Sequence, residues 1–68
     1  MDKFAERLKE LRIEKGLSQL KLAREVGVSQ SAIKQWENKT REPSGSFIIL
    51  LSRYFGVTTD YLLGEKDE

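Results

Sequence analysis

The amino-acid sequence predicts an all-α fold, a compact bundle of five short helices. Three observations carry that prediction. Apolar residues recur at helical spacing along the chain, and no segment alternates with the two-residue period of a strand. Hydroxyl residues at positions 18, 29, 44 and 58 stand where helices would start, and glycines at 16, 27, 56 and 64 stand where they would stop. The length of 68 residues suits one small domain and leaves no room for a second.

In the first helix Phe4, Leu8 and Leu11 fall at i, i+4 and i+7 as one apolar stripe, with Asp2 placed to cap its start. Gly16, after Lys15 in the last turn, ends it. Ser18 caps a second short helix that turns Leu22, Ala23 and Val26 inward and stops at Gly27. Ser29 caps a third, with Ile33 and Trp36 on its inner face. The run Asn38-Lys39-Thr40-Arg41-Glu42-Pro43 is a polar connection, and Pro43 forbids a helix through it because its ring removes a donor and clashes with the preceding turn. Ser44 restarts a fourth helix, whose stretch Phe47-Ile48-Ile49-Leu50-Leu51 reads as core, and Gly56 ends it. Thr58 caps a fifth, one to two turns long, through Leu63, with Gly64 as its stop. The domain then spans residues 1–64, and the acidic residues 65–68 read as a frayed tail.

Composition excludes several classes of function. With no cysteine and no histidine, the usual metal ligands and the commonest general base are missing, and no metal or other cofactor is expected. Acids are plentiful but sit at helix-surface spacings beside cations, as in Glu6-Lys9-Glu10, and no serine has a histidine to activate it. A bundle this small offers little cleft for paired carboxylates. The chain reads as a binding protein and not an enzyme, with no small-molecule ligand evident. No apolar run nears the ~20 residues of a membrane span and no signal peptide is visible, so a cytoplasmic protein without a membrane partner is expected. Net charge is only +1, but the last four residues sum to −2, so residues 1–64 carry +3. Between Ser18 and Pro43 five cations (Lys21, Arg24, Lys34, Lys39, Arg41) face three acids. That footprint suits a compact anionic site and is too small for a purely electrostatic binder.

The segment from Ser18 to Asn38 has the requirements of a helix-turn-helix in one register. Two short helices are joined by Gly27-Val28-Ser29, a connection of the length that brings them together at a steep angle. Gly27 can take positive φ without strain. Ala23, four residues earlier, is small enough to let the helices close, and Val28, Ile33 and Trp36 supply the apolar contacts.

The runs Gly16-Leu17-Ser18-Gln19, Leu22-Ala23, Gly27-Val28-Ser29, Ile33, Trp36-Glu37-Asn38 and Arg41-Glu42-Pro43-Ser44 resemble the phage repressor/Cro and Xre-like regulators. So do Tyr54-Phe55-Gly56-Val57 and Asp60-Tyr61-Leu62-Leu63-Gly64, and the likeness covers nearly the whole chain. The resemblance implies a lambda-repressor-like DNA-binding domain that regulates transcription, most simply a repressor on palindromic double-stranded operator DNA. It implies a homodimer through the fourth and fifth helices, with Leu50, Tyr61 and Leu62 as the candidate surface. It assigns base reading to Gln30, Ser31, Lys34 and Gln35 of the third helix, where glutamine can pair with adenine and lysine can reach guanine. Gln19, Asn38, Lys39, Thr40 and Arg41 would touch the phosphates, Gln19 at a helix N-terminus that favours anions. Arg12 and Glu37 match a salt bridge within the domain and, with Ala23, Gly27, Ile33 and Trp36, are assigned to structure. Trp36 is read as packing, with its indole N–H toward the edge.

Several residues depart from the family pattern. Ser18 lacks a glutamate three residues on to close a capping box. Lys39 stands where relatives often have glycine, which puts the path of that loop in question. Gly45 weakens the first turn of the fourth helix. Leu20 and Leu50 replace residues that are usually charged. A second reading stays open on the near-neutral charge: an antitoxin-like or adaptor module that keeps the fold and binds protein instead of DNA. The family also includes longer chains with a further C-terminal domain, and Gly64 followed by charged residues fits either a natural end or a boundary.

Overall fold

The computed structural model describes residues 2–67 of the chain, with side chains from Lys3 onward, and no strand occurs among them. Five helices follow in order: α1 (Asp2–Glu14), α2 (Gln19–Val26), α3 (Gln30–Glu37), α4 (Gly45–Phe55) and α5 (Thr59–Leu63). The expected capping by Asp2 falls on a side chain outside the described ones. Ser18, Ser29 and Thr58 each cap as expected, their hydroxyls accepting from the backbone N–H groups of Lys21, Ala32 and Tyr61 at 3.0, 3.1 and 3.0 Å. Each bond satisfies a donor that the first helical turn leaves without a partner. Ser44 stands at the N-cap of α4 but makes no side-chain cap; its hydroxyl meets that of Ser46 at 3.0 Å instead.

The core gathers Phe4 and Leu8 of α1, Leu22 and Ala23 of α2, Ile33 and Trp36 of α3, Leu51 of α4 and Leu62 of α5. Every helix contributes, so none can be removed without opening the core to water. Contacts run from α1 to α3 and α5, from α2 to α3 and α4, and from α4 to α5. Trp36 is buried, its ring 5.2 Å from that of Phe47, in keeping with the packing role read from the sequence. No helix among the described residues is long and apolar enough to cross a membrane.

Three expectations need correction. The stretch from Phe47 to Leu51 is not all core: Leu51 is buried and Ile48 half-buried, whereas Phe47, Ile49 and Leu50 are exposed. A helix in a two-sided bundle can bury only one stripe, and five consecutive apolar residues necessarily circle past it. Leu62, expected on a dimer surface, is 0% exposed and belongs to the core; Tyr61 beside it is half-buried under the Arg7 guanidinium, 4.2 Å from its ring centroid. The tail is tied down through Asp67: Arg7 donates to the carbonyls of Tyr61 and Lys66 and meets Asp67, while Glu65 and Lys66 donate to the Asp60 carbonyl. Arg7 thus satisfies the Tyr61 carbonyl near the C-terminal end of α5, where a cation is favoured, and the Lys66 carbonyl beyond it.

Candidate nucleic-acid interface

The turn between α2 and α3 is closed from within. Gly27 takes φ 76° and, with Val28, sends its N–H back to the Ala23 carbonyl, at 2.9 and 3.0 Å. A left-handed conformation of this kind costs glycine nothing and most residues about 1 kcal/mol or more. Ala23 is buried at the crossing, where a larger side chain would hold the helices apart. With Ile33 and Trp36 turned into the core, the period of α3 puts Gln30, Ser31 and Lys34 outward and exposed, and Gln35 half-buried beside them. The four candidate base readers therefore share one outer face.

A part-buried polar network holds the C-terminal half of α3 against α1. Arg12 Nε and Nη2 donate to the two Glu37 carboxylate oxygens at 2.6 and 2.9 Å, and Nη1 donates to the Leu17 carbonyl at 2.8 Å. The side chains are only 12% and 4% exposed. The bidentate geometry matches the guanidinium fork and raises the Arg12 pKa above its ordinary value, chiefly through the Glu37 hydrogen bonds and against the desolvation of burial. Gln19 joins this network, its Nε2 donating to Glu37 Oε1 at 3.2 Å. The sequence reading placed Gln19 on a phosphate and did not foresee this bond, because nothing local links a residue on α2 to one on α3.

The loop after α3 is held by its own side chains. Asn38 Oδ1 accepts from the N–H and the hydroxyl of Thr40 at 3.0 and 2.6 Å, while the Gln35 carbonyl accepts from the N–H groups of Thr40 and Arg41 at 3.1 and 3.4 Å. Between them Lys39 takes φ 69°, the one non-glycine with positive φ among the described residues. The loop keeps the left-handed path that a glycine would take, with a lysine in it.

The candidate phosphate contacts divide between two depressions. Gln19 and Asn38 line one of about 280 Å³ together with Arg12, Glu37, Lys34 and Lys9. Arg41 lines another of about 430 Å³, near the N-cap of α3, with Val28, Trp36 and Phe47 among its walls. Lys39 and Thr40 are exposed on the loop between α3 and α4 and line neither. The reading from sequence missed Lys9, which faces this site from a helix outside the motif.

A family model described as helix-turn-helix matches residues 8–62. The chain belongs to this family. It is 38% identical to the transcriptional activator BcrR of Enterococcus faecalis over 94% of its length, and 36% identical to the transcriptional regulator ImmR of Bacillus subtilis over 96%. It covers 31% and 50% of those proteins, so it spans at most about half their length. Among solved structures it is similar to the P22 c2 repressor in complex with a synthetic operator, with a TM-score of 0.80 and 37% identity over 87% of this chain and 89% of that one. The five-helix fold and the likeness to phage repressors read from the sequence are both borne out.

Proposed function

We propose that the chain is the DNA-binding unit of a transcriptional regulator, a repressor that holds a palindromic operator as a homodimer with one α3 in each major groove. The observation that carries this reading is the division of α3: Ile33 and Trp36 are locked in the core while Gln30, Ser31, Lys34 and Gln35 share its outer face. A recognition helix needs that combination, since base contacts worth 1–3 kcal/mol each demand side chains on a rigid support. The likeness to a repressor solved with operator DNA supports the same docking. The role is binding and not catalysis, in the cytoplasm where bacterial DNA lies. Ile49 and Leu50, adjacent and exposed on α4, are the residues we assign to the contact between copies.

Selecting bound oligonucleotides from a random pool tests the proposal. The expected product is a two-fold symmetric sequence with half-site centres ~10–10.5 base pairs apart or a multiple of that. A pool that shows no enriched sequence, with binding no tighter than to random duplex, would overturn it and favour the protein-binding module.

A further inference from the structure

We infer that Arg7 makes α5 and residues 64–67 a single latch closed against α1, held by the shape of the guanidinium and not by its charge. Alone, α5 could not keep its form: five residues fall far short of the ~12–15 at which an isolated helix is even marginal. Leu62 is its one fully buried residue, in the core that it shares with Leu51 of α4. What keeps α5 in place is therefore tertiary, and much of it comes from one side chain of α1.

Arg7 Nη1 donates to the Tyr61 carbonyl within α5 and, at 2.6 Å, to the Lys66 carbonyl beyond it. An Nη group carries two N–H donors, so one nitrogen bridges the helix and the segment that follows. The same guanidinium lies over the Tyr61 ring, its Cζ 4.2 Å from the centroid. Backbone bonds fasten the two parts to each other. Gly64 sends its N–H to the Tyr61 carbonyl at 3.0 Å, and Glu65 and Lys66 send theirs to the Asp60 carbonyl at 2.8 and 3.4 Å. Gly64, at φ 83°, sits so near α1 that a Cβ on it would stand 2.4 Å from that of Lys3. The chain therefore turns flat against the first helix, and α5 and residues 64–67 hold or let go together.

The ion pair is the weak member. Asp67 meets Arg7 Nη2 at 3.5 Å from a fully exposed side chain, where water screens the attraction, while the Arg7 side chain is only 13% exposed. Lysine would keep the charge but has neither the planar fork nor a face to lay on the tyrosine ring while it donates. Opening would draw Leu62 out of the core, so the latch sets whether α5 belongs to the body of the domain.

Native-state amide exchange followed by NMR, with a thermal melt of each protein, tests this on the parent chain, Arg7→Lys and Asp67→Asn. In the parent, the amides of Leu62, Gly64, Glu65 and Lys66 are expected to exchange through one shared opening with a common denaturant dependence, easier than the opening that frees Trp36. Arg7→Lys should speed all four by roughly tenfold or more, because bonds from a charged donor are lost. Asp67→Asn should change them by less than about twofold, with an unaltered Tm. Glu65 and Lys66 opening apart from Leu62 in the parent would overturn the single latch, and that comparison needs no variant. Unchanged rates in Arg7→Lys would remove Arg7 as the catch. Equal acceleration of Trp36 would make Arg7 a support of the whole core and not a local catch, and an Asp67→Asn effect as large as that of Arg7→Lys would reduce the catch to an ion pair.

Discussion

Lys39 shows what a single residue contributes to the path of the chain. A φ of 69° sets its Cβ against the following carbonyl, a conformation that costs an L-residue other than asparagine about 1–2 kcal/mol. The Asn38–Thr40 hydrogen bonds on either side enforce it. Lys39→Gly should therefore raise stability by about 1 kcal/mol, read as a Tm higher by roughly 4–8 °C; an unchanged Tm would mean that the turn holds lysine without strain. Glu37 is the opposite case. Its removal leaves the part-buried Arg12 guanidinium without a counter-charge, so Glu37→Ala should cost about 2 kcal/mol in a denaturant titration. Replacing both partners with leucine and methionine should restore much of that, since the penalty comes from the stranded charge. A loss in the double variant as large as in the single one would show that the pair is strongly stabilising in itself.

At the scale of the helix, the proposed base readers on α3 and the proposed phosphate contacts on the loop after it separate by experiment. Gln30→Ala removes a side chain from the outer face near the N-terminus and should cost ~1–3 kcal/mol on the selected operator, with discrimination relaxed at one base pair. Arg41→Ala, on the loop, should weaken all sequences alike and flatten the salt slope by about one phosphate. Equal losses on operator and random duplex for Gln30→Ala would exclude direct readout by this face. In α4, Gly45 stands in the first turn with open space where a Cβ would lie, and Gly45→Ala should add ~0.5–1 kcal/mol in the same denaturant titration. Helix starts and stops were legible because they rest on local chemistry: Ser18, Ser29 and Thr58 cap residues three positions ahead. The inner stripe of α4 was not, because five apolar residues in a row carry no period to say which side is buried. The site was half legible for the same reason. Gln30 to Gln35 follow from the register of one helix, but the Gln19–Glu37 bond, the approach of Lys9 and the hold of Arg7 on the last residues join distant parts of the chain.

The whole molecule is a small body with a Cα radius of gyration of 10.6 Å and a net charge of +1. With so small a net charge, the proposed DNA binding draws little on a long-range field and rests instead on fit and on the proposed pairing of two copies. Two linked half-site contacts raise overall affinity because the second forms at the high effective concentration set by the first. That places weight on the exposed strip of α4, where Ile49 is 46% and Leu50 38% exposed, side by side on a helix whose other face is core. Burying the open part of a leucine contributes on the order of 1 kcal/mol, and placing a lysine there adds a desolvation cost. Leu50→Lys should thus raise the dimer dissociation constant by at least roughly tenfold in sedimentation, with the thermal melt of the monomer unchanged. Binding to the full palindrome should weaken in step, while binding to an isolated half-site should hold, since Leu50 lies on a different helix from α3. If the variant kept its dimer and its palindrome affinity, the α4 strip would not be the contact between copies, and the two-fold arrangement would have to rest on another face or on chain beyond this domain.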